Sequence, residues 1–353
     1  MKPDSGHIET EKLLAQMEKE VTAIYNQAAK ETTAKLEDYF RRFEIKDERW
    51  KEWVEDGTKT AKQYKEWRTG QMLMGRRWER MRDQLARDVV QADKIARSAL
   101  LEHRPDIYAI NHNYATYEAE HGLGVNTSYT LYDRQTVERL ISKNPKLLPD
   151  PTPNGSVSRA IREGRAIRWS RQHIQSALLQ GILQGESIPN LTRRLEGVYD
   201  MEHRAAIRYA RTMTTGAESA GRIDGYRRAQ DLGIELEQQW LAILDNRTRH
   251  SHRLMDGQHV PVGEVFSNGC EYPGDPDGPA EEVWNCRCTL IAYLKGFERD
   301  LSDLSVRNDK SLEGMSYDEW KKKHGESQRI TKQEEKGEAI RQSYIREYRR
   351  KRK

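Results

Sequence analysis

The feature that most constrains this chain is a pair of long stretches in which apolar residues return every third or fourth position. From about 8 to 45, Leu14, Met17, Val21, Ile24 and Ala28 recur at spacings of 3, 4, 3 and 4. That rhythm places them on one stripe of a helix, the seam of a coiled coil or helical hairpin. From about 59 to 103, Tyr64, Trp67, Met74, Trp78, Met81 and Leu85 keep the same rhythm. Gln71 interrupts the second stripe, and Gly70 and Gly75 each weaken that helix by about 1 kcal/mol. Pro105 stops it near His103. Two trains of similar length, parted near Asp56-Gly57, predict an antiparallel pair in which each stripe buries the other. Self-association through these N-terminal helices is the alternative.

Helices of this kind explain a composition that is otherwise unfriendly to a large core. A third of the residues are charged (33%) and the mean hydropathy is −0.96, yet eight Trp and sixteen Tyr supply surface to bury. The length, 353 residues, allows two or three domains. The stretch 144–157 carries Pro145, Pro149, Pro151 and Pro153 and reads as a linker. It separates a helical N-terminal domain (1–143) from a second domain (158–296), and a polar, basic tail (297–353) follows. Within the first domain, Tyr108, Tyr114, Tyr117, Tyr129 and Tyr132 concentrate aromatic surface, with no Lys or Arg between Pro105 and Leu131. Packing suits that composition better than base stacking, which goes with cations.

In the second domain, Ile167, Ile174, Leu178 and Ile182 mark the buried side of a helix. Ser187 and Pro189 open a short helix. A longer one spans about 201–232, with small inward residues (Ala206, Ala210, Ala217, Ala220) that permit close approach. Gly233 suits the position after its end. The period then changes to two: Ile234, Leu236, Trp240 and Ala242 alternate with Glu235, Glu237 and Gln239, as in a strand. Asp256-Gly257 is a hairpin-type turn before the strand-like His259 to Val262. Thr289 to Leu294 is a further strand. The fold class is therefore mainly α with a small α+β C-terminal module.

Charge is distributed by region. Between Gly155 and Gln230 there are thirteen Arg and no Lys against seven acids. Arg159, Arg162, Arg165, Arg168 and Arg171 fall every third residue and so spiral around a helix of 3.6 residues per turn. Solvated or protein-facing arginines account for such a spiral, and so do contacts to phosphates. Residues 231–288 reverse the sign, with eleven acids and four Arg. The last five residues, Arg349, Arg350, Lys351, Arg352 and Lys353, form a nucleic-acid-binding candidate or a solubilising tail. The residues Met1 to Thr10 show no signal pattern, and no run of about eighteen apolar residues predicts a membrane span.

The densest motif region runs from Trp240 to Leu294. It holds Asp245-Asn246-Arg247-Thr248-Arg249-His250-Ser251-His252, then Asp256-Gly257, then Asn285-Cys286-Arg287-Cys288. Asp245 can accept bonds from the turn that follows it and pair with Arg247 or Arg249. The segment resembles the signature of the phage head-morphogenesis (Mu F-like) minor head protein family: Asp-x-Arg-Thr-Arg-x-x-His, Asp-Gly, Asn-Cys-Arg-Cys. The matching positions are Asp245, Arg247, Thr248, Arg249, His252, Asp256, Gly257, Asn285, Cys286, Arg287 and Cys288, within a family domain of roughly 165–296. One departure stands out. Where the family often has Arg-Thr-Glu, this chain has Arg211-Thr212-Met213. Two further segments, Asn111-His112-Asn113-Tyr114 and Tyr129-Thr130-Leu131-Tyr132-Asp133-Arg134, are similar to the helical part of minor capsid proteins from phages of Gram-positive bacteria.

The resemblance implies a low-copy virion protein of the phage head, associated with the portal and with capsid or procapsid components, in contact with phage DNA in some members. Assembly in the host cytoplasm would precede residence in the virion. Three cysteines (Cys270, Cys286, Cys288) do not make a disulfide framework and suit a reducing compartment. No cofactor is expected. The exception is zinc, for which His252, Cys286 and Cys288, with Cys270 as a fourth donor, are candidates. His250, His252, Asp245 and Asp256 are the only dense cluster of groups suited to catalysis. No zinc-protease helix motif, phosphate-binding glycine loop or nucleophile elbow accompanies them. The expectation is a structural protein that is not an enzyme, with no catalytic residues. The alternative is a metal-dependent hydrolase centred on His252, Cys286 and Cys288.

Overall fold

The computed structural model describes residues 4–123, 130–152, 159–294, 316–323 and 325. Its helices are α1 (Ser5–Arg41), α2 (Glu44–Glu55), α3 (Ala61–Met72), α4 (Gly75–Glu102), α5 (Arg104–Leu123), α6 (Arg134–Lys143), α7 (Arg159–Leu183), α8 (Ile188–Asp231), α9 (His250–Met255) and α10 (Ala280–Val283). Three strands, β1 (Leu236–Leu241), β2 (His259–Pro261) and β3 (Thr289–Leu294), form one antiparallel sheet in the order β2-β1-β3. The protein is thus mainly α with a small α+β module. Among the described residues no helix is long and apolar enough to cross a membrane.

The chain divides into two units. A helical unit comprises 14–103 and 155–211, and a sheet-bearing unit comprises 1–13, 104–154 and 212–353. Two of the four divisions fall inside α1 and α8, so each unit is assembled from stretches that alternate along the sequence.

In the helical unit the apolar stripes do part of what their spacing predicts, with Ile24, Ala28, Tyr64, Trp67 and Met81 only half-buried. Contacts from α1 to α3 and α4 run in opposite sequence order: Glu20 with His103, Tyr25 with Asp93, Lys35 with Asp88, Tyr39 with Trp78 and the Met72 carbonyl. The two trains are therefore antiparallel. Leu14, Met17 and Val21 are buried within the chain, as are Trp78, Leu85, Ile174, Leu178 and Ile182. Each such side chain contributes roughly 1.5–3 kcal/mol of burial. The α7 helix lies along α4, with the Trp78 indole donating to Gln175 (2.6 Å) and Arg171 paired to Asp83 (2.9 Å).

The second train departs from the expected single helix. Leu73 and Met74 break it, and Gly75 takes a φ of 82°, which a residue with a Cβ rarely adopts. Met74 consequently faces solvent at 64% exposure instead of joining the seam. A capping box, Thr60 with Gln63, starts α3. Conversely, the two helices expected after Ser187 are one continuous α8, because only tolerated glycines interrupt it.

In the sheet-bearing unit, α5 is a polar helix buried by bonding. Asn111 donates to Thr10 (2.7 Å) and Asn113 clamps the backbone of Tyr132 at both ends (2.8 and 2.9 Å). His112 stacks on Tyr132 at 3.8 Å and faces Asp224 at 3.2 Å. The tyrosine concentration is core: Tyr114 and Tyr117 pack against Tyr317 and Trp320 of a short helix at 317–323. That helix lies within the stretch expected to be polar, and it places two aromatics against the first domain's tyrosines. Trp320 is fully buried and its indole donates to Glu120 (2.7 Å). Tyr129, Pro153, and the cationic residues Arg349 to Lys353 lie outside the described residues.

The C-terminal part of α8 packs closely on α5. A Cβ at Gly221 would stand 2.4 Å from the Tyr108 carbonyl, so only glycine fits there. The β1 strand alternates as its sequence predicts, with Leu236, Gln238 and Trp240 turned inward. Gln238 survives burial because its amide donates to the Glu264 and Glu271 carbonyls (2.9 and 2.8 Å).

Candidate functional site

The motif residues fall on three pieces of the sheet-bearing unit: the turn after β1 with α9, the loop after α9, and the segment entering β3. Asp245 organises the first. Its Oδ1 accepts the Arg247 amide (2.8 Å) and the Thr248 hydroxyl (3.0 Å), a turn of the Asx kind. Thr248 also donates to the Ile243 carbonyl. The carboxylate then takes both arms of the Arg287 guanidinium at 2.7 Å each. This fork-to-fork geometry is the strongest ion-pair arrangement available to the two groups. The Arg287 hydrogen bonds hold the Asp245 carboxyl well below the usual carboxylate range. The partner expected from sequence was Arg247 or Arg249. Arg247 lies farther off at 3.8 Å, and Arg249 turns instead to the Glu282 (3.3 Å) and Trp284 carbonyls.

Asp256-Gly257 closes the loop. The Asp256 Oδ1 accepts the Ala242 amide (2.9 Å), and the Gly257 amide donates to the Trp240 carbonyl (2.9 Å) with φ at 82°. Asn285 is the one described non-glycine residue with positive φ, at 58°. Asn tolerates that conformation better than most residues. The kink aims Cys286 and Cys288 inward.

There they meet His252. All three residues are buried, at 2%, 2% and 3% exposure respectively. His252 Nδ1 stands 3.6 Å from the Cys286 Sγ and 3.3 Å from the Cys288 Sγ. The Cys288 amide donates to the Cys286 Sγ (3.4 Å). On the other side of the ring, His252 Nε2 lies 2.9 Å from Glu282 Oε2, which also accepts the Ser251 hydroxyl (3.0 Å). Trp240 packs edge-on against the imidazole at 5.4 Å. A hydrogen bond from the Cys286 thiol, and then His252, hold Cys288 down at about 5 against its burial. Burial pushes Cys286 well up. His252, Cys286 and Cys288 form the one group among the described residues whose donor atoms could share a metal. Cys270 is not in it, contrary to the four-donor expectation, and burial pushes its thiol up to about 12. His250 is exposed at the start of α9, and neither it nor Asp245 nor Asp256 joins the group.

The sequence reading missed what holds this segment from behind. One face of α8 meets it in register. Thr212 Oγ1 accepts the Asn285 amide (2.8 Å), and the Thr215 hydroxyl donates to the Cys286 carbonyl (2.7 Å). Glu218 accepts the Thr289 hydroxyl (2.5 Å), and Arg222 donates to the Leu290 carbonyl (2.7 Å). Met213, in the place of the family's glutamate, is fully buried. Glu218 and Arg222 belong to a buried four-membered ionic network: Arg222 pairs bidentately with Asp4 (2.7 and 2.8 Å), and His7 Nδ1 meets Glu218 at 2.9 Å. Burial opposes a charge on His7, but the Glu218 carboxylate overrides it and raises its pKa to about 9. Helical spacing of polar residues among small ones was the available signal.

In the helical unit, α7 and α8 border a groove of about 730 Å³ lined by Arg165, Trp169, Glu202, Arg204 and Arg208. Arg165 and Arg168 are exposed on α7, whereas Arg171 is spent on Asp83. Side chains of Arg159 and Arg162 lie outside the described residues.

Comparison with known proteins gives these geometries a context. Residues 172–291 match the family model described as Phage Mu protein F like protein, which confirms the resemblance read from the motif. A minor head protein of Bacillus phage SPP1 is 26% identical over 61% of this chain and 68% of its own length. An NAD(+)–arginine ADP-ribosyltransferase of Enterococcus faecalis is 32% identical over 151 residues, 42% of this chain and 31% of its own. A protein of Haemophilus influenzae without an assigned activity is 27% identical over 42% of this chain and 30% of its own. The chain thus spans about a third of two of these relatives and about two thirds of the other. No solved structure matches. The expectation that the chain is not an enzyme is corrected here, since a relative sharing this much sequence is named an enzyme.

Proposed function

We propose that this chain, which carries a phage Mu F-like domain, is a minor head protein that takes part in head morphogenesis and resides in the virion. The observation that carries the reading is the Mu F-like match over 172–291, together with similarity to a head protein across 61% of the chain. The geometry is consistent with it. Several signature residues are spent inside the module: Asp245 on Arg287, Arg249 on the Glu282 and Trp284 carbonyls, Asp256 on the Ala242 amide. Such bonding gives a rigid module for docking against other head components.

The finer reading is that the portal and the capsid shell are those components, and that phage DNA is touched as well. The acidic stretch 231–288 favours a basic partner surface. For DNA, the groove with Arg165, Arg204, Arg208 and Trp169 offers cations and one aromatic plane, which suits phosphate contacts without sequence reading. The cationic residues Arg349 to Lys353 add to this. Co-sedimentation tests the reading: the protein should travel with portal-containing procapsids in a gradient. Its absence from purified heads, with the protein present and folded in the lysate, would overturn it.

A further inference from the structure

We propose that His252, Cys286 and Cys288 bind one zinc ion, through the imidazole Nδ1 and the two Sγ atoms. Four observations converge on the same point. The first is donor chemistry. Two sulfurs and an imidazole form a soft set that zinc takes in preference to magnesium or calcium. The second is spacing. Zinc bonds of about 2.3 Å to sulfur and about 2.0–2.1 Å to nitrogen, at tetrahedral angles, place sulfur and nitrogen roughly 3.6 Å apart. The two such distances here are 3.3 and 3.6 Å, and all three donors lie within 4.8 Å of one another.

The third observation is the far side of the ring. Zinc-binding histidines characteristically donate their second N–H to a carboxylate, which fixes tautomer and orientation. Glu282 supplies that carboxylate at 2.9 Å from Nε2 and is itself steadied by Ser251. With Nε2 carrying the hydrogen, Nδ1 presents its lone pair to the sulfurs. The fourth is the backbone. The left-handed Asn285 turns the Cys-x-Cys segment so that both thiols face one way, and the Cys288 amide points at the Cys286 sulfur, where it would support a thiolate. A packed apolar core would need none of these arrangements.

Three protein donors leave one tetrahedral position. Among the described residues Cys270 is outside the group and no fourth donor joins the three. The proposal stands apart from the head-protein reading, and its failure would leave that reading untouched.

The test uses the full chain, purified under reducing conditions without chelator. Elemental analysis should return about one zinc per chain. Replacement by cobalt(II) should give thiolate-to-metal charge-transfer bands and the visible bands of tetrahedral cobalt. Cys270→Ser should keep both signals, Cys288→Ser should lose zinc, and Glu282→Gln should bind roughly 10-fold more weakly. Competition with a chromophoric chelator on the unaltered chain guards against variants that fail to fold. The proposal is overturned if the folded wild-type chain holds no zinc and gives no cobalt–thiolate band. It is equally overturned if Cys286→Ser/Cys288→Ser retains the metal, or if Cys270→Ser loses it.

Discussion

Replacing Glu218 with Gln should uncouple the stability of the sheet-bearing unit from alkaline pH. In the native chain His7, Arg222, Asp4 and Glu218 form a buried, electrically balanced set, with His7 at 4% and Arg222 at 0% exposure. The folded protein raises His7 from 6.5 to about 9. A raised pKa stabilises the fold fully below the unfolded value, and the benefit is lost as pH climbs through the folded value. Here that window runs from about pH 6.5 to 9, and the shift corresponds to about 3 kcal/mol. Glu218→Gln keeps the shape but leaves two cations facing one anion, and breaking a buried pair in this way costs roughly 3–5 kcal/mol. Urea unfolding followed by pulsed hydrogen exchange over 289–294 reads the unit directly. At pH 6 the variant should fall well below wild type, and by pH 9.5 the gap should narrow by about 3 kcal/mol as wild-type His7 loses its proton. A gap that stays constant between the two pH values would refute the reasoning, because His7 would then not be charged through Glu218.

Three further outcomes follow from other contacts. Arg287→Lys replaces a two-pronged partner of Asp245 with a point charge and should lower the melting temperature of the Mu F-like segment; an unchanged melt would show that the fork contributes nothing. Gly221→Ala should destabilise the α5–α8 contact by roughly 1–3 kcal/mol in chemical denaturation, since its Cβ would meet the Tyr108 backbone and not a movable side chain. Arg165→Glu with Arg204→Glu should weaken binding to random-sequence DNA and flatten its salt dependence by about 0.9 per lost phosphate contact; equal affinity at two salt concentrations would remove the groove from the DNA reading.

Much of the architecture can be read from spacing alone. Steps of three and four gave the α1 and α4 stripes, and alternation gave β1 with Leu236 and Trp240 inward. What escapes such a reading has physical causes. Gly75 breaks the second train through its positive φ, a backbone property that hydrophobic pattern does not encode. The carboxylate of Asp245 pairs with Arg287 and not with its neighbours because the chain returns 42 positions later, a long-range closure. Tyr317 and Trp320 are two aromatics in a polar stretch, too few for periodicity to register, yet they seat against Tyr114 and Tyr117 with Trp320 fully buried. Along α8, the small residues announced close packing and masked the polar side chains between them. Within the site, the motif located His252, Cys286 and Cys288, while the exclusion of Cys270 needed coordinates.

The ladder from Thr212 to Arg222 has a practical corollary for anyone dissecting the molecule. Its rungs grip the segment 285–290, which leads into β3, at four successive points, two of them on carbonyls and one on an amide, so sliding that segment by a residue would unfasten them together. A fragment trimmed to begin at β1 would keep every signature residue and still forfeit the scaffold that spaces them. Grafting or truncation work should therefore cut upstream of α8, even though only Arg211-Thr212 in that helix belongs to the family's pattern.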